Sequence, residues 1–244
     1  MRISIAFVAT LLACQAQPAS IIPAKQEDRP TAVVKATDDF EVTGNGTNAA
    51  WAKAEWVALH RRPKGELPYE SRFKLLYSKT GLYVLMDGTD AKLTTTGRGD
   101  FENLWEEDVY EAFFWPDESQ PLYFEYEISP KNHELPILVP NNGGAFMGWR
   151  PWHYEGDRKT RKQTSVRVAA AGRGDDAIEG WSAEFFIPYQ LLHGLKNVPP
   201  KSGAKWRANF YRMDYDDKKT TQWDWSRVGP SFHEYQKYGT IVFE

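Results

Sequence analysis

The fold class is decided by residues 103–115, NLWEEDVYEAFFW. Side chains in a β-strand point alternately to opposite faces, so Val109 and Phe113 share one face with Glu111, whereas Tyr110 and Phe114 share the other. One such face can pack against a core. A carboxylate among large apolar side chains is costly unless it is paired or borders a cleft. Glu111 is therefore the first candidate for a binding residue.

Short segments with alternating β-branched or aromatic residues recur along the rest of the chain, separated by Gly, Pro, Asn and Asp. This spacing, without a long amphipathic helical period, is typical of a β-sandwich. The sequence predicts an all-β fold, a jelly-roll-like sandwich of two antiparallel sheets with a few short helices, formed by one domain over residues 33–244. The predicted strands are residues 73–78, 81–88, 108–115, 122–129, 135–139, 164–171, 180–187, 205–211, 221–225 and 239–243.

The composition narrows the possible functions. The chain has 244 residues, 14% of them aromatic, and the 10 Trp are its most unusual feature. A net charge of −3 gives the chain as a whole no basic footprint for nucleic acid. Cys14 is the only cysteine, which excludes a disulfide framework and a cysteine-based zinc site in the body of the protein.

The first residues have the pattern of an export signal. Met1-Arg2 carries a positive charge, residues 3–13 are an apolar run too short to span a bilayer, and Leu11-Leu12-Ala13-Cys14 resembles a bacterial lipobox. We predict a signal peptide over residues 1–19 with lipidation at Cys14, and a flexible tether over residues 20–32. The alternative is an ordinary signal peptide cut after Ala16 or Ala19. The expected location is the bacterial outer membrane or periplasm as a lipoprotein, or the medium, with membrane contact only through Cys14.

Five segments, in the same order, resemble family 9 carbohydrate-binding modules. They cover roughly residues 34–244, and the segment around Trp105, Asp108 and Glu111 resembles the family's Trp-x-x-Asp…Glu-x-Phe strand. The resemblance implies a DOMON-related sandwich of two antiparallel sheets. The five segments are residues 73–86, 105–114, 180–188, 206–212 and 225–239.

The same resemblance implies a position for the binding site. In that family a sugar lies between two aromatic side chains, which correspond to Trp105 and Phe232, while Glu111 falls on the carboxylate that bonds ring hydroxyls. His233 is a further candidate because it follows Phe232. The alternatives are that the two aromatic residues plug the core and that Glu111 forms a salt bridge with a neighbouring arginine, Arg207 or Arg212.

The strand that follows departs from the family's best-known branch. Glu125 and Glu127 stand where that branch places an Arg and an Asn. Both are candidate ligand-binding residues, and their charge leaves three alternatives open: a cationic or amino sugar, a metal-bridged ligand, or no sugar at all. We predict a monomer that binds a poly- or oligosaccharide without catalysis and serves polysaccharide catabolism.

Two other functions remain open from the sequence. Glu106, Asp108 and Glu111 have a spacing that occurs in some retaining glycosidases, whose two catalytic carboxyl groups lie about 5–5.5 Å apart. In this alternative Glu106 and Glu111 are catalytic, and the chain is a glycoside hydrolase or an accessory domain of one. In the other, the chain is a cell-surface scaffold with no sugar ligand, because fold does not fix function.

An acidic loop offers a candidate metal site. Asp87, Asp90 and Asp108 lie near one predicted loop, where they can ligate a structural calcium ion together with backbone carbonyls. The alternative is a solvated acidic loop. The sequence makes no cofactor certain, and structural calcium is the candidate.

Overall fold

The computed structural model describes residues 29–97, 99–143, 145–151, 154–170 and 177–244. The predicted signal peptide, Cys14 and most of the predicted tether lie outside the described residues. In the described part of the chain no helix is long and apolar enough to cross a membrane.

The described residues are mostly β-structure. Five 3₁₀ helices of three to five residues connect some of the strands, at Ala49–Lys53, Leu104–Glu106, Gly156–Arg158, Asp216–Lys218 and Tyr235–Lys237. The strands are β1 (Thr31–Ala36), β2 (Val57–Ala58), β3 (His60–Arg61), β4 (Ser71–Tyr77), β5 (Gly81–Thr89), β6 (Val109–Trp115), β7 (Leu122–Ile128), β8 (Glu134–Asn142), β9 (Ala145–Phe146), β10 (Arg150–Pro151), β11 (Arg161–Val168), β12 (Ile178–Pro188), β13 (Lys205–Asp214), β14 (Thr221–Asp224) and β15 (Gly239–Phe243).

The strands form two sheets that share their first strand. One sheet has the order β10-β8-β7-β6-β13-β15-β1, and the other has the order β1-β4-β5-β12-β11. Thr31–Val34 of β1 pair with β15, and Lys35–Ala36 pair with β4. The predicted all-β sandwich is confirmed. Both pairings of β1 are parallel, which differs from the predicted purely antiparallel sheets. β1 is the first strand in the sequence and β15 is the last, so no tight hairpin joins them and their pairing is not restricted to the antiparallel arrangement.

The main apolar core lies between the two sheets. Tyr110, Ala112 and Phe114 of β6 point into it, as do Ala208 and Phe210 of β13. All are fully buried. The alternation predicted for residues 103–115 is therefore confirmed, and one face of β6 packs against the second sheet.

The outer face of β6 is also covered. Val109 and Phe113 belong to a second apolar cluster with Tyr123 of β7 and Tyr211 of β13, and Phe232 from a later loop packs against this cluster. All residues of β6 are consequently buried. Polar side chains on this outer face are covered by loops and are shielded from solvent.

Candidate functional site

A cavity of about 370 Å³ opens on the covered outer face of the first sheet. This volume is in the range of small-molecule sites, which are mostly apolar with a few converging polar groups. The lining residues come from β6, β7, β8, β9, β13, β14, one 3₁₀ helix and two loops: Trp105, Glu111, Phe113, Glu125, Glu127, Ile137, Phe146, Trp149, Met213, Gln222, Pro230, Phe232 and His233.

Three glutamates bring carboxyl groups to this cavity. Glu111 on β6 lies directly opposite Glu127 on β7, and Glu125 lies opposite Phe113. The exposed fractions of Glu111, Glu125 and Glu127 are 2%, 4% and 1%. Residues two apart on a strand share a face, so Glu125 and Glu127 point the same way. The strand register thus places three buried carboxyl groups close together on a sheet face that is otherwise apolar.

Burial dominates the electrostatics of these carboxyl groups. Burial, and next the charge of Glu127, raise the pKa of Glu111 well above its ordinary value. Burial raises the pKa of Glu125 and of Glu127 in the same direction, with further contributions from Glu111 and from Glu125 respectively. The Oε2 atoms of Glu125 and Glu127 have no hydrogen-bond partner. A hydrogen bond between Glu125 and Glu127 and one from the Trp105 backbone to Glu127 compensate for only part of the hydration that these groups lose.

Replacing Glu127 by glutamine is expected to stabilise the protein above about pH 5. A glutamate with a raised folded-state pKa contributes stability below its unfolded value of 4.5, and this contribution is lost as the pH rises through the folded value. Glutamine does not ionise, so the loss disappears. We expect the melting temperature of Glu127→Gln to exceed that of the unchanged protein by roughly 2–4 °C at about pH 8, which corresponds to about 1 kcal/mol.

Thermal melts across that pH range, followed by circular dichroism, measure this effect. The same substitution at the exposed Glu179 is the control, and its melting temperature is expected to follow that of the unchanged protein. Equal melting curves for Glu127→Gln and the unchanged protein at every pH would contradict the assignment of a raised pKa to Glu127.

One wall of the cavity is Trp105, which is partly buried against the outer apolar cluster. It lies in the 3₁₀ helix Leu104–Glu106, just before β6. Its carbonyl accepts a hydrogen bond from the Tyr215 hydroxyl. Asp108 fixes the adjoining segments, because its carboxylate accepts the backbone N–H of Thr94 at 2.6 Å and that of Tyr215 at 3.0 Å. Burial raises the pKa of Asp108 to about 8.

Another part of the lining is the loop that carries Phe232. The Phe232 ring stacks on Tyr211, with 4.0 Å between the centroids and an interplanar angle of 9°. The Phe232 carbonyl accepts hydrogen bonds from the hydroxyls of Tyr211 and Tyr238, both at 2.9 Å. Asn141 donates to the next carbonyl, that of His233, at 2.8 Å. The loop is therefore held to the sheet through its backbone, which fixes the position of the ring.

His233 lies between two phenylalanine rings. Its imidazole stacks on Phe146 at 4.3 Å and on Phe113 at 5.7 Å between centroids. The Tyr123 hydroxyl is 2.6 Å from His233 Nδ1. Burial lowers the pKa of His233 to about 4. The imidazole is neutral at neutral pH and brings no positive charge to the glutamates.

The structure brings together six side chains that the sequence selected. They are Trp105, Glu111, Glu125, Glu127, Phe232 and His233. The strand residues follow from alternation. Phe146 and Trp149 were not among the predicted site residues, although both line the cavity. The signal was present, since a glycine-rich loop that carries aromatic residues is a common place for a binding function.

Two alternatives from the sequence concern partners of Glu111, namely Glu106 as a second catalytic carboxylate and Arg212 in a salt bridge. Glu106 is exposed and is not among the residues that line the cavity, so it does not converge there with Glu111. Arg212 faces the sandwich interior, where it bonds Asp214 Oδ2 at 2.6 Å and Asp90 Oδ2 at 3.1 Å. It is therefore not a counter-ion for Glu111 on the outer face.

The three aspartates of the predicted calcium site have separate surroundings. Asp87 pairs with Arg72 and Arg167. Asp108 is bonded by backbone N–H groups, and Asp90 is close to Asp214 and Asp216. Among the described residues, that last group is the one whose acidic oxygens are near enough for a metal ion. Arg212 already neutralises two of its members. Calcium binding at Asp87, Asp90 and Asp108 stays a prediction.

A comparison with known families decides where the chain belongs. The sequence model of the carbohydrate family 9 binding domain-like family matches residues 42–243. The chain belongs to this family. The match spans the cavity and all three of its glutamates, so the resemblance read from five sequence segments is confirmed.

Several solved structures are similar to this chain over most of its length. One is a candidate carbohydrate-binding protein from Bacteroides uniformis, 15% identical, with a TM-score of 0.66 over 88% of this chain and 100% of that chain. Another is a family 9 carbohydrate-binding module from Caldicellulosiruptor kristjanssonii in complex with cellotriose, 13% identical, with a TM-score of 0.62 over 88% of this chain and 94% of that chain. At these identities the likeness concerns the fold.

A curated relative is similar in sequence. It is an extracellular protein from Arthroderma benhamiae, 28% identical over 150 residues, which are 58% of this chain. The match covers 63% of the relative's length.

Proposed function

We propose that this family 9-like domain binds carbohydrate without catalysis. A sugar ring lies between Trp105 and Phe232, and its hydroxyls bond Glu111 and the two glutamates of β7. The observation that carries the proposal is the cavity of about 370 Å³, which combines aromatic walls with converging buried carboxyl groups. Aromatic faces pack on the C–H face of a sugar, while carboxylates accept hydrogen bonds from its hydroxyls.

Membership of family 9 supports this proposal, since two of the similar structures, both from Caldicellulosiruptor kristjanssonii, are complexes with cellotriose and glucose. We further propose that the protein is exported, either as a lipoprotein anchored at Cys14 or as a secreted protein, and that it serves polysaccharide catabolism. The extracellular relative and the apolar run before Cys14 support export. A monomer is sufficient for this role.

Titration calorimetry of the full chain with a panel of neutral and amino oligosaccharides tests the proposal. We expect at least one saccharide to bind with a dissociation constant between about 1 mM and about 1 µM. Trp105 and Trp149 line the cavity, so binding is also expected to change the tryptophan fluorescence. An acyclic sugar alcohol is the matched control, because it has the hydroxyls but no ring face, and we expect no binding.

The same panel separates the other two functions. Saccharide binding without release of new reducing ends supports a binding module. Release that is abolished by Glu111→Gln would make the protein a glycoside hydrolase and contradict the proposal. A panel without any binding partner would leave a surface scaffold as the remaining function.

A further inference from the structure

We infer that the ligand of this cavity is a saccharide whose ring carries a protonated amine, and that Glu111, Glu125 and Glu127 select it over neutral sugars. The inference rests on the proposed carbohydrate binding and names the chemical class of the ligand. In the bound sugar, the amine lies on the side of the ring that faces the sheet.

The first step is the charge balance of the cavity. Glu111, Glu125 and Glu127 are at most 4% exposed. Among the lining residues that the structure describes there is no lysine or arginine. A charged group that is removed from water needs an opposite charge, and otherwise it becomes neutral. Two basic groups are close to lining residues. His233 Nδ1 is 3.8 Å from Glu125 Oε2, but burial lowers the pKa of His233 to about 4, and Arg62 is already paired with Asp224 at 3.2 Å. A cationic ligand is therefore the group that balances the carboxylates.

The second step is hydrogen bonding. The Oε2 atoms of Glu125 and Glu127 are buried and have no partner. A protonated amine has three N–H donors and no acceptor, which complements a set of carboxylate oxygens. A sugar hydroxyl also donates, but it leaves the negative charge in place, and an N-acetyl group removes the positive charge and adds bulk. Charge-assisted hydrogen bonds are about twice as strong as neutral ones.

The third step concerns a metal ion as the competing cation. A bound ion needs ligand oxygens close to one another. Among the described residues, the acidic group that meets this requirement is Asp90, Asp214 and Asp216, and the three glutamates of the cavity do not meet it. An ammonium group that is bonded by two of these carboxylates does not need all three to converge, and the aromatic residues of the cavity lie beside it.

The experiment compares three β-1,4-linked tetrasaccharides that differ at one position of each ring, made of glucosamine, N-acetylglucosamine or glucose. Titration calorimetry with the full chain is expected to give at least about tenfold tighter binding of the glucosamine oligomer, a difference of about 1.4 kcal/mol. Glu125→Gln and Glu127→Gln are each expected to reduce this preference at least threefold. Glu179→Gln removes one exposed negative charge elsewhere, and the preference is expected to be unchanged.

The outcomes separate this inference from the function on which it rests. Equal binding of the glucose and glucosamine oligomers, or tighter binding of the neutral one, overturns the inference and leaves carbohydrate binding intact. A preference that persists in Glu125→Gln and Glu127→Gln, or binding that is lost with a calcium chelator, overturns the role of the glutamates. No binding of any saccharide overturns both. The preference of the unchanged protein decides the matter even if a variant is unstable.

Discussion

Replacing Glu184 by alanine is expected to lower the free energy of unfolding by ~3–5 kcal/mol. The expected fall in melting temperature is roughly 10 °C or more for a chain of this size. This is the largest single effect on stability that we expect, although Glu184 is remote from the cavity. It is fully buried on β12 in the second sheet.

The reason is that Glu184 holds an early loop to the second sheet. Its Oε2 accepts the backbone N–H groups of Thr43 at 2.8 Å, Gly44 at 2.9 Å and Gly46 at 3.2 Å. Its Oε1 accepts the Trp51 indole N–H at 2.8 Å. Gly44 and Gly46 have φ angles of 86° and 68°, which favour glycine. Without the carboxylate the buried N–H groups of Gly44 and Trp51 lose their acceptor, and each unsatisfied buried group costs about 1–3 kcal/mol.

Chemical denaturation of the purified variants measures this change. Glu179→Ala is the matched control, because Glu179 lies on the same strand but is exposed. Its effect is expected to stay within about 0.5 kcal/mol. A loss below about 1 kcal/mol for Glu184→Ala would mean that water replaces the carboxylate, and the anchoring role would then be wrong.

Those parts of the fold that depend on side-chain periodicity could be predicted from the sequence. The alternation in residues 103–115 placed Glu111 on the outer face of β6, and the same rule placed Glu125 and Glu127 together on β7. The parallel pairing of β1 was not predicted, because nothing local in Thr31–Ala36 specifies which distant strands it meets. Contacts between chain ends are set by the whole topology.

The loop residues that line the cavity were harder to predict than the strand residues that line it. Phe146 stacks on His233 across a large separation in sequence, and loop residues have no periodicity that indicates a direction. The predicted calcium set shows the same difficulty. Asp87 and Asp90 are close in sequence, yet Asp87 meets Arg167 and Asp90 meets Arg212. Proximity in sequence did not show that the two carboxylates have different arginine partners.

The glutamates of the cavity connect stability with function. Burying three carboxyl groups without a basic partner costs stability, whereas apolar side chains at Glu111, Glu125 and Glu127 would extend the outer apolar cluster on β6 and β7. Local rules of packing are commonly violated at functional sites. The stabilisation expected for Glu127→Gln and the loss of amine preference expected for the same variant are two consequences of one arrangement.

Replacing Trp105 by alanine is expected to weaken saccharide binding about thirtyfold, or ~2 kcal/mol, while the fold stays intact. Trp105 is partly buried at the edge of the outer cluster and lines the cavity. Its neighbours hold the backbone in place, since Asp108 binds the N–H of Tyr215 and the Tyr215 hydroxyl binds the carbonyl of Trp105. The variant therefore removes the indole face without releasing the segment that carries it.

Titration of Trp105→Ala with the best saccharide of the panel measures this loss. The matched control is Trp56→Ala, which removes a partly buried tryptophan that stacks under Arg72 at 4.2 Å and lies outside the cavity. Its affinity is expected to equal that of the unchanged protein. Stacking contributes about 0.5–1.5 kcal/mol beyond the burial of apolar area, so a sugar that retains its affinity in Trp105→Ala does not use this wall. That result would refute the aromatic clamp. The Phe232 ring stacks on Tyr211 and has the Arg62 guanidinium 5.3 Å from its centroid, so it cannot hold the sugar alone.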